Sequence, residues 1–261
     1  MQSFRSNPPA GTPPYVIAHR GISGKAPENT PAAFSMACLS PGIDMIELDV
    51  RLSKEEEVIV LHDRSLQRTT TGNGPARNYS LRELQQFDAG SWFNPSFSHE
   101  RVPLLREVLQ FIDRRRWVDI ELKSDFLHQE PPGLLERKVL DVVRELGMLD
   151  QVLFSSFNHG LMRTLRSIEP SAVTGVIYNM YRDLGRPPSK LAGRVGASVI
   201  VCAKYEFTER MLHDAHEHGL ALYVYTLNDQ GSVRKMMELG VDGILSDNAD
   251  EIVPIVRGIK Q

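Results

Sequence analysis

The stretch Ile43-Asp44-Met45-Ile46-Glu47-Leu48-Asp49-Val50, followed after the short polar segment 51–57 by Val58-Ile59-Val60-Leu61-His62-Asp63, decides how this chain folds. Its first part is an apolar run broken by two carboxylates one residue apart. Side chains alternate along a strand, so a strand here sets Glu47 and Asp49 on one face. Val58-Ile59-Val60-Leu61 is a second strand, and seven residues cannot hold a crossover helix between the two. The pair is therefore an antiparallel hairpin that turns near residues 54–56. Its return leg sets His62 opposite Leu48 and Asp49, bringing an imidazole to the carboxylates.

Working outward, Tyr15-Val16-Ile17-Ala18-His19 reads as a buried strand ending in polar chemistry. A glycine-bearing loop follows, and then Thr30-Pro31, an N-cap threonine with proline at the first helical position. That helix should stop before Pro41-Gly42. Residues 1–12 are polar and proline-rich, without the apolar core of a signal peptide or membrane anchor, and read as a flexible tail. Residues 64–102, rich in Thr, Gly, Asn and Ser with one helical pattern near 81–87, are too long for an ordinary connection. They read as an inserted subdomain or lid over the barrel mouth, with Trp92 and Phe93 able to touch substrate.

A helix over 103–112 comes next, and then strands at 117–122, 151–155, 172–177, 198–202, 221–225 and 243–246. Helices at 133–146, 158–168, 188–195, 207–218, 229–239 and 249–257 alternate with them. Without the hairpin's return leg there are eight strands, each followed by a helix. This predicts an α/β fold, a closed parallel (β/α)8 TIM barrel formed by residues 13–261 as one domain. It carries an extra antiparallel strand after strand 2 and the insertion before the second barrel helix.

A chain of 261 residues with net charge −3 has no basic field to attract nucleic acid or an anionic membrane, so an anionic ligand must be captured by local cations. No run is long and apolar enough to span a bilayer. Cys38 and Cys202, the two cysteines, each sit in an apolar run without metal-ligand spacing, and read as buried free thiols in a reducing cytoplasm.

Functional side chains of such a barrel lie where strands end. Those ends supply His19 and Arg20, Glu47 and Asp49, Glu121 and Lys123, Ser156 and Phe157, Tyr178, Cys202 or Lys204, Thr226 and Asn228, and Ser246 and Asp247. Three carboxylates converging from adjacent strands cannot all stay ionised without counter-charge. A hard divalent cation with oxygen ligands answers that need, with Arg20 and Lys123 as further balance. Two histidines beside such a cation can serve as acid and base near neutrality. His213 and His216 have ligand-like spacing but no partner at a strand end, and read as a solvated helix face.

In order along the chain, His19-Arg20-Gly21, Pro27-Glu28-Asn29-Thr30, Glu47-Leu48-Asp49, His62-Asp63, Thr69-Thr70-x-Gly72, Glu121-Leu122-Lys123, Ser156-Phe157 and Tyr225-Thr226-x-Asn228 resemble the motifs of the glycerophosphodiester phosphodiesterases. These are TIM barrels related to phosphatidylinositol-specific phospholipase C. The resemblance implies that Glu47, Asp49 and Glu121 bind one divalent cation, Mg2+ or Ca2+, and that His19 and His62 are the acid–base pair. It also implies that Arg20 and Lys123 lie near the phosphate, with Phe157 and Tyr225 against the substrate. The reaction implied is hydrolysis of a glycerophosphodiester to sn-glycerol 3-phosphate and an alcohol. Tyr225 stands where the family commonly has Trp, which bears on substrate fit, and Asp247-Asn248-Ala249 replaces a closing Asp-x-Pro, which bears on cap geometry. A lysophospholipase D-like activity on lipid diesters and a non-catalytic phosphodiester-binding barrel are the alternatives.

Overall fold

A computed structural model of the chain describes residues 12–124 and 131–259. The stretch read as a tail, except Thr12, lies outside the described residues. The strands are β1 (Tyr15–Ala18), β2 (Met45–Leu52), β3 (Val58–Val60), β4 (Trp117–Leu122), β5 (Val152–Ser156), β6 (Val173–Ile177), β7 (Val199–Ala203), β8 (Ala221–Tyr225) and β9 (Gly243–Ser246). The helices are α1 (Pro31–Leu39), α2 (Leu81–Leu84), α3 (Leu105–Ile112), α4 (Leu134–Glu145), α5 (His159–Ile168), α6 (Met180–Asp183), α7 (Pro188–Gly193), α8 (Glu209–Glu217), α9 (Gln230–Leu239) and α10 (Ala249–Arg257).

Eight strands run parallel in the order β1-β9-β8-β7-β6-β5-β4-β2, and β1 pairs again with β2 to close the barrel. β1 covers only the start of β2, through Ile17↔Met45 and Ala18↔Ile46. Beyond β1's end, the same edge of β2 is taken antiparallel by β3, with Val50 facing Val60. Continued two residues, that register sets His62 beside Leu48, and the Leu61 amide still donates to the Asp49 carbonyl at 2.9 Å. The hairpin thus closes an edge that would otherwise expose unpaired backbone.

Alternation divides the apolar side chains into three groups. Val16, Ile46, Leu48, Val118 and Ile120 point outward and meet the helices. Tyr15, Ile17, Met45, Trp117, Leu153, Val201 and Tyr223 fill the barrel. On β3, Val58 and Val60 belong to the helix layer, whereas Ile59 packs with Leu61 against Leu66, Leu84 and Val102 of the insertion. Cys38 and Cys202 are buried and unpaired with each other.

Two local expectations need correction. The helix after the insertion begins at Leu105 rather than Pro103. The Pro103 carbonyl is taken by the Val60 amide at 2.9 Å, and Leu104 bridges to Ile59, so the chain stays extended until the β3 edge is satisfied. The expected helix at 188–195 is the shorter α7, preceded by a separate turn, α6, capped by Asn179. Among the described residues no helix is long and apolar enough to cross a membrane.

Candidate active site

The loop after β1 takes its shape from Arg20-Gly21. Arg20 adopts a left-handed backbone (φ 57°), and Gly21 continues the turn at φ 81°. A Cβ on Gly21 would lie 2.6 Å from the Ala33 carbonyl carbon, so only glycine fits there. The turn sends the Arg20 amide to Glu47 Oε2 (2.9 Å). The Arg20 guanidinium reaches Glu28 Oε1 (2.8 Å) and Asp49 Oδ2 (3.2 Å). Asn29, also left-handed (φ 59°), a conformation asparagine tolerates, donates its amide to Asp49 Oδ2 at 2.7 Å. Thr30 caps α1 through the Ala33 amide. Each residue of Pro27-Glu28-Asn29-Thr30 beyond the proline therefore has a separate structural task.

Glu47 and Asp49 lie level with Asp119 and Glu121 on the next strand. Oxygens of Glu47, Asp49 and Glu121 lie within 4.8 Å of one another, and all three residues are buried. Lys123 bridges two of them, with its Nζ 2.8 Å from Asp49 Oδ1 and donating to Glu121. Burial, then the Asp49 charge, pushes Glu47 well above the usual carboxylate range. Burial would raise Asp49 too, but Lys123, Arg20 and His62 outweigh it and hold that carboxyl low. Burial raises Glu121, and it takes Asp119 up to about 7 despite a hydrogen bond from Ser155.

Both rings are anchored by a carboxylate at Nδ1, His19 by Asp247 Oδ1 at 2.7 Å and His62 by Asp63 Oδ1 at 2.6 Å. That leaves Nε2 of each for other partners, and His19 Nε2 lies 4.0 Å from Glu47 Oε2. Burial lowers the proton affinity of His62, with Lys123 and Arg20 adding to the effect against the Asp49 charge. His19, Arg20, Glu47, His62, Asp119, Glu121 and Lys123 line one side of a cavity of about 450 Å³, open mouth included. Phe157, Ile177, Val201, Tyr225 and Leu245 line the other. The Phe157 ring centre lies 5.8 Å from Lys123 Nζ, in cation–π range.

His19, Arg20, Glu47, His62, Glu121, Lys123, Phe157 and Tyr225 thus line this cavity, and Asp49 is buried against Arg20 and Lys123. The other strand-end residues, Ser156, Tyr178, Cys202, Lys204, Thr226, Asn228, Ser246 and Asp247, do not line it. His213 is exposed and pairs with Glu217, while His216 bonds Asp242 at 2.8 Å, far from these groups in the fold. No residue of 64–102 lines this cavity, but Thr69, Thr70, Ala89, Arg101 and Val102 of the insertion line a smaller pocket shared with Glu28 and His62. Trp92 and Phe93 pack edge-on to each other, and Phe93 to Phe97. The Trp92 indole donates to the Ala89 carbonyl. The insertion packs against the face of β3 that carries Ile59, continued by Leu61, opposite the helix-layer face of Val58 and Val60.

Asp119, Asp247, Asp63, Glu28 and Arg68 hold parts of the site without having been given roles from the sequence. Asp119 carried a signal, since it precedes Glu121 by two on one strand and so shares its face. Asp247 directly follows β9, the strand beside β1 in the closed barrel.

The four inward carboxyls Glu47, Asp49, Asp119 and Glu121 meet two cations, Arg20 and Lys123, so 4 − 2 leaves two negative charges unmatched if all ionise. An all-oxygen set with a deficit of two fits one hard divalent cation.

The family model of the glycerophosphoryl diester phosphodiesterases matches residues 19–251. A glycerophosphodiester phosphodiesterase of Caldanaerobacter subterraneus subsp. tengcongensis is 34% identical over 93% of this chain and 97% of its own. The structure of an Oleispira antarctica phosphodiesterase in complex with the product sn-glycerol-3-phosphate superposes with a TM-score of 0.85 at 29% identity, covering 92% of this chain and 95% of that one. A glycerophosphodiester phosphodiesterase from Agrobacterium tumefaciens gives 0.78 at 32% identity, covering 92% and 98%.

Proposed function

The chain belongs to the glycerophosphoryl diester phosphodiesterase family, and from that premise we propose that it hydrolyses glycerophosphodiesters to sn-glycerol 3-phosphate and an alcohol in the cavity at the barrel mouth. The observation that carries this reading is the cluster of three buried carboxylates beside two histidines, each tied at Nδ1. Glu47, Asp49 and Glu121 would hold one Mg2+ or Ca2+. When bound, it would supply positive charge to the phosphate as negative charge develops there.

The chain's own residues do the rest. Arg20 and Lys123 bind the non-bridging oxygens and stabilise their growing charge. With Nδ1–H given to a carboxylate, each imidazole has Nε2 for proton transfer, so one takes a proton from the nucleophile while the other protonates the leaving alkoxide. The glycerol 2-hydroxyl attacks first, expelling the alcohol and closing a 1,2-cyclic phosphate. Water then opens the ring with the histidine roles exchanged. A hydroxyl held beside phosphorus has an effective concentration of ~10⁵ M or more, which favours it over bulk water. Phe157 and Tyr225 form an apolar wall against the substrate. The free, buried cysteines accord with a cytoplasmic location.

The test is release of glycerol 3-phosphate from diesters of choline, ethanolamine, glycerol and inositol, with each metal and with chelator. No release from any substrate under either metal overturns the reading. A 2-deoxy substrate that binds normally and is cleaved rapidly overturns the cyclic route. A second reading, hydrolysis of lysolipid diesters, is favoured by the exposed side chains Tyr181 on α6, Leu184 just after it and Tyr205 after β7. Faster turnover of lysolipids than of the water-soluble panel would select it.

A further inference from the structure

We propose that Arg68, on the insertion, is a positioning residue for hydrolysis, its one guanidinium fixing the His62 ring through Asp63 and the Arg20 guanidinium through Glu28. This inference rests on the glycerophosphodiesterase reading above.

Arg68 does not line the cavity, and its nitrogens are already engaged. Nε and NH2 donate to Asp63 Oδ2 at 2.7 Å and Oδ1 at 3.0 Å. NH1 and NH2 donate to Glu28 Oε2 and Oε1, both at 2.7 Å. Each carboxylate then passes the constraint inward through the oxygen it shares. Asp63 Oδ1 also accepts from His62 Nδ1, and Glu28 Oε1 also accepts from Arg20 NH1. Residues 62 and 20 reach the cavity from different strands, so a single side chain sets the relative placement of a proton-transfer group and a phosphate-binding group.

The loop that carries Arg68 is itself held. Leu66, Thr69 and Thr70 are buried around it. The Thr70 hydroxyl donates to the Leu66 carbonyl at 2.8 Å and accepts from the Gly72 amide at 2.9 Å. Exposed ion pairs contribute little to stability as a rule, and Arg68 is itself exposed. Its importance lies in geometry, because a planar fork engages two carboxylates bidentately at once and an ammonium cannot. This gives the insertion a task beyond lining the small pocket next to His62, that of bracing the site.

The experiment compares wild type with Arg68→Ala and Arg68→Lys. Loss of an orienting partner typically costs about 10- to 100-fold in activity. Both variants should lose kcat/KM on that scale, and guanidinium or methylguanidinium should partly restore Arg68→Ala where methylammonium does not. In NMR spectra, the His62 Nδ1 proton resonance should broaden away in both variants while that of His19 persists. Wild-type kcat/KM in either folded variant, equal rescue by ammonium, or an unchanged His62 resonance would overturn the proposal. Should Arg68→Ala fail to fold, Arg68→Lys and Arg68→Gln decide by the same measurements. A wild type that releases no glycerol 3-phosphate would sink the functional reading, while the His62 resonance still decides the role of Arg68.

Discussion

The two sides of the barrel mouth differ in what holds them in place. The side made by β1, β2, β4 and the β3 hairpin carries His19, Arg20, Glu47, Asp49, His62, Glu121 and Lys123. Most of these charges lean on a second polar group behind them: Asn29 behind Asp49, Glu28 behind Arg20, Asp247 behind His19. The side made by β5 to β9 presents Phe157, Ile177, Val201, Tyr225 and Leu245, which pack continuously with the barrel filling below. Dispersion and burial hold such a wall without directional partners. The polar side should therefore fail sharply when one atom is altered, and the apolar side should fail gradually.

The sharpest break is expected at the centre of the polar side. Asp49→Asn should lower turnover by on the order of 10³-fold, and added Mg2+ or Ca2+ should raise the melting temperature of the wild type but not of the variant. Turnover or metal-dependent melting like that of the wild type would remove Asp49 from the ligand set. His19→Ala and His62→Ala come next, at ~100-fold or more with the fold retained. Circular dichroism and steady-state rates check both, with His213→Ala as the control that should change neither.

Asp247→Asn tests whether the second layer matters as much as the first. It leaves His19 without its carboxylate and should cost roughly 10- to 100-fold in kcat. The same change has a pH signature. In the fold Asp247 is held to about 2, where burial would raise it but His19, Asn228 and Ser23 prevail. A carboxyl lowered from its ordinary value near ~4 adds stability that is complete above that value and is lost as pH falls toward 2. Acid melts of Asp247→Asn should therefore lack part of the decline between pH ~4 and 2. A variant with the wild-type acid limb would assign that decline to other carboxyls.

On the apolar side the expected effects are smaller. Phe157→Leu or Tyr225→Trp should shift head-group preference by a few-fold, roughly the worth of a methylene or two in a pocket, and leave the metal requirement intact. The smallest effect belongs to the insertion's aromatics. Replacing Trp92 and Phe93 with Ala should leave the substrate profile within about two-fold, because their contacts are with each other, Phe97 and Ala89. A changed profile would return the insertion to the substrate.

The same contrast governs what was legible in the sequence. Charges at alternate positions in an otherwise apolar strand have no place in a core, so Glu47, Asp49 and Glu121 stood out, with Lys123 just past the end of β4, and the short 51–57 segment forced the hairpin that delivers His62. Ile177, Val201 and Leu245 were invisible as cavity wall because an apolar strand residue looks the same whether it meets another side chain or an open space. Arg68 was silent for a different reason. Its partners lie 40 and five residues away, across a segment with little regular structure, so no period links them. The aromatics of the insertion were ambiguous, because composition does not show which surface Trp92 and Phe93 meet.

The bond between His19 and Asp247 spans 228 residues and joins the first strand of the barrel to the end of the last. During synthesis, His19 leaves the ribosome early yet meets its carboxylate only after β9 has been made and has docked against β1. Arg20, the carboxylates Glu47, Asp49 and Glu121, His62 and Lys123 have all been translated by then, but one of the two imidazoles still lacks its anchor. A nascent chain, or one clipped before β9, carries nearly every polar group of the proposed site without the full arrangement. Turnover thus reports that the barrel has been finished and closed.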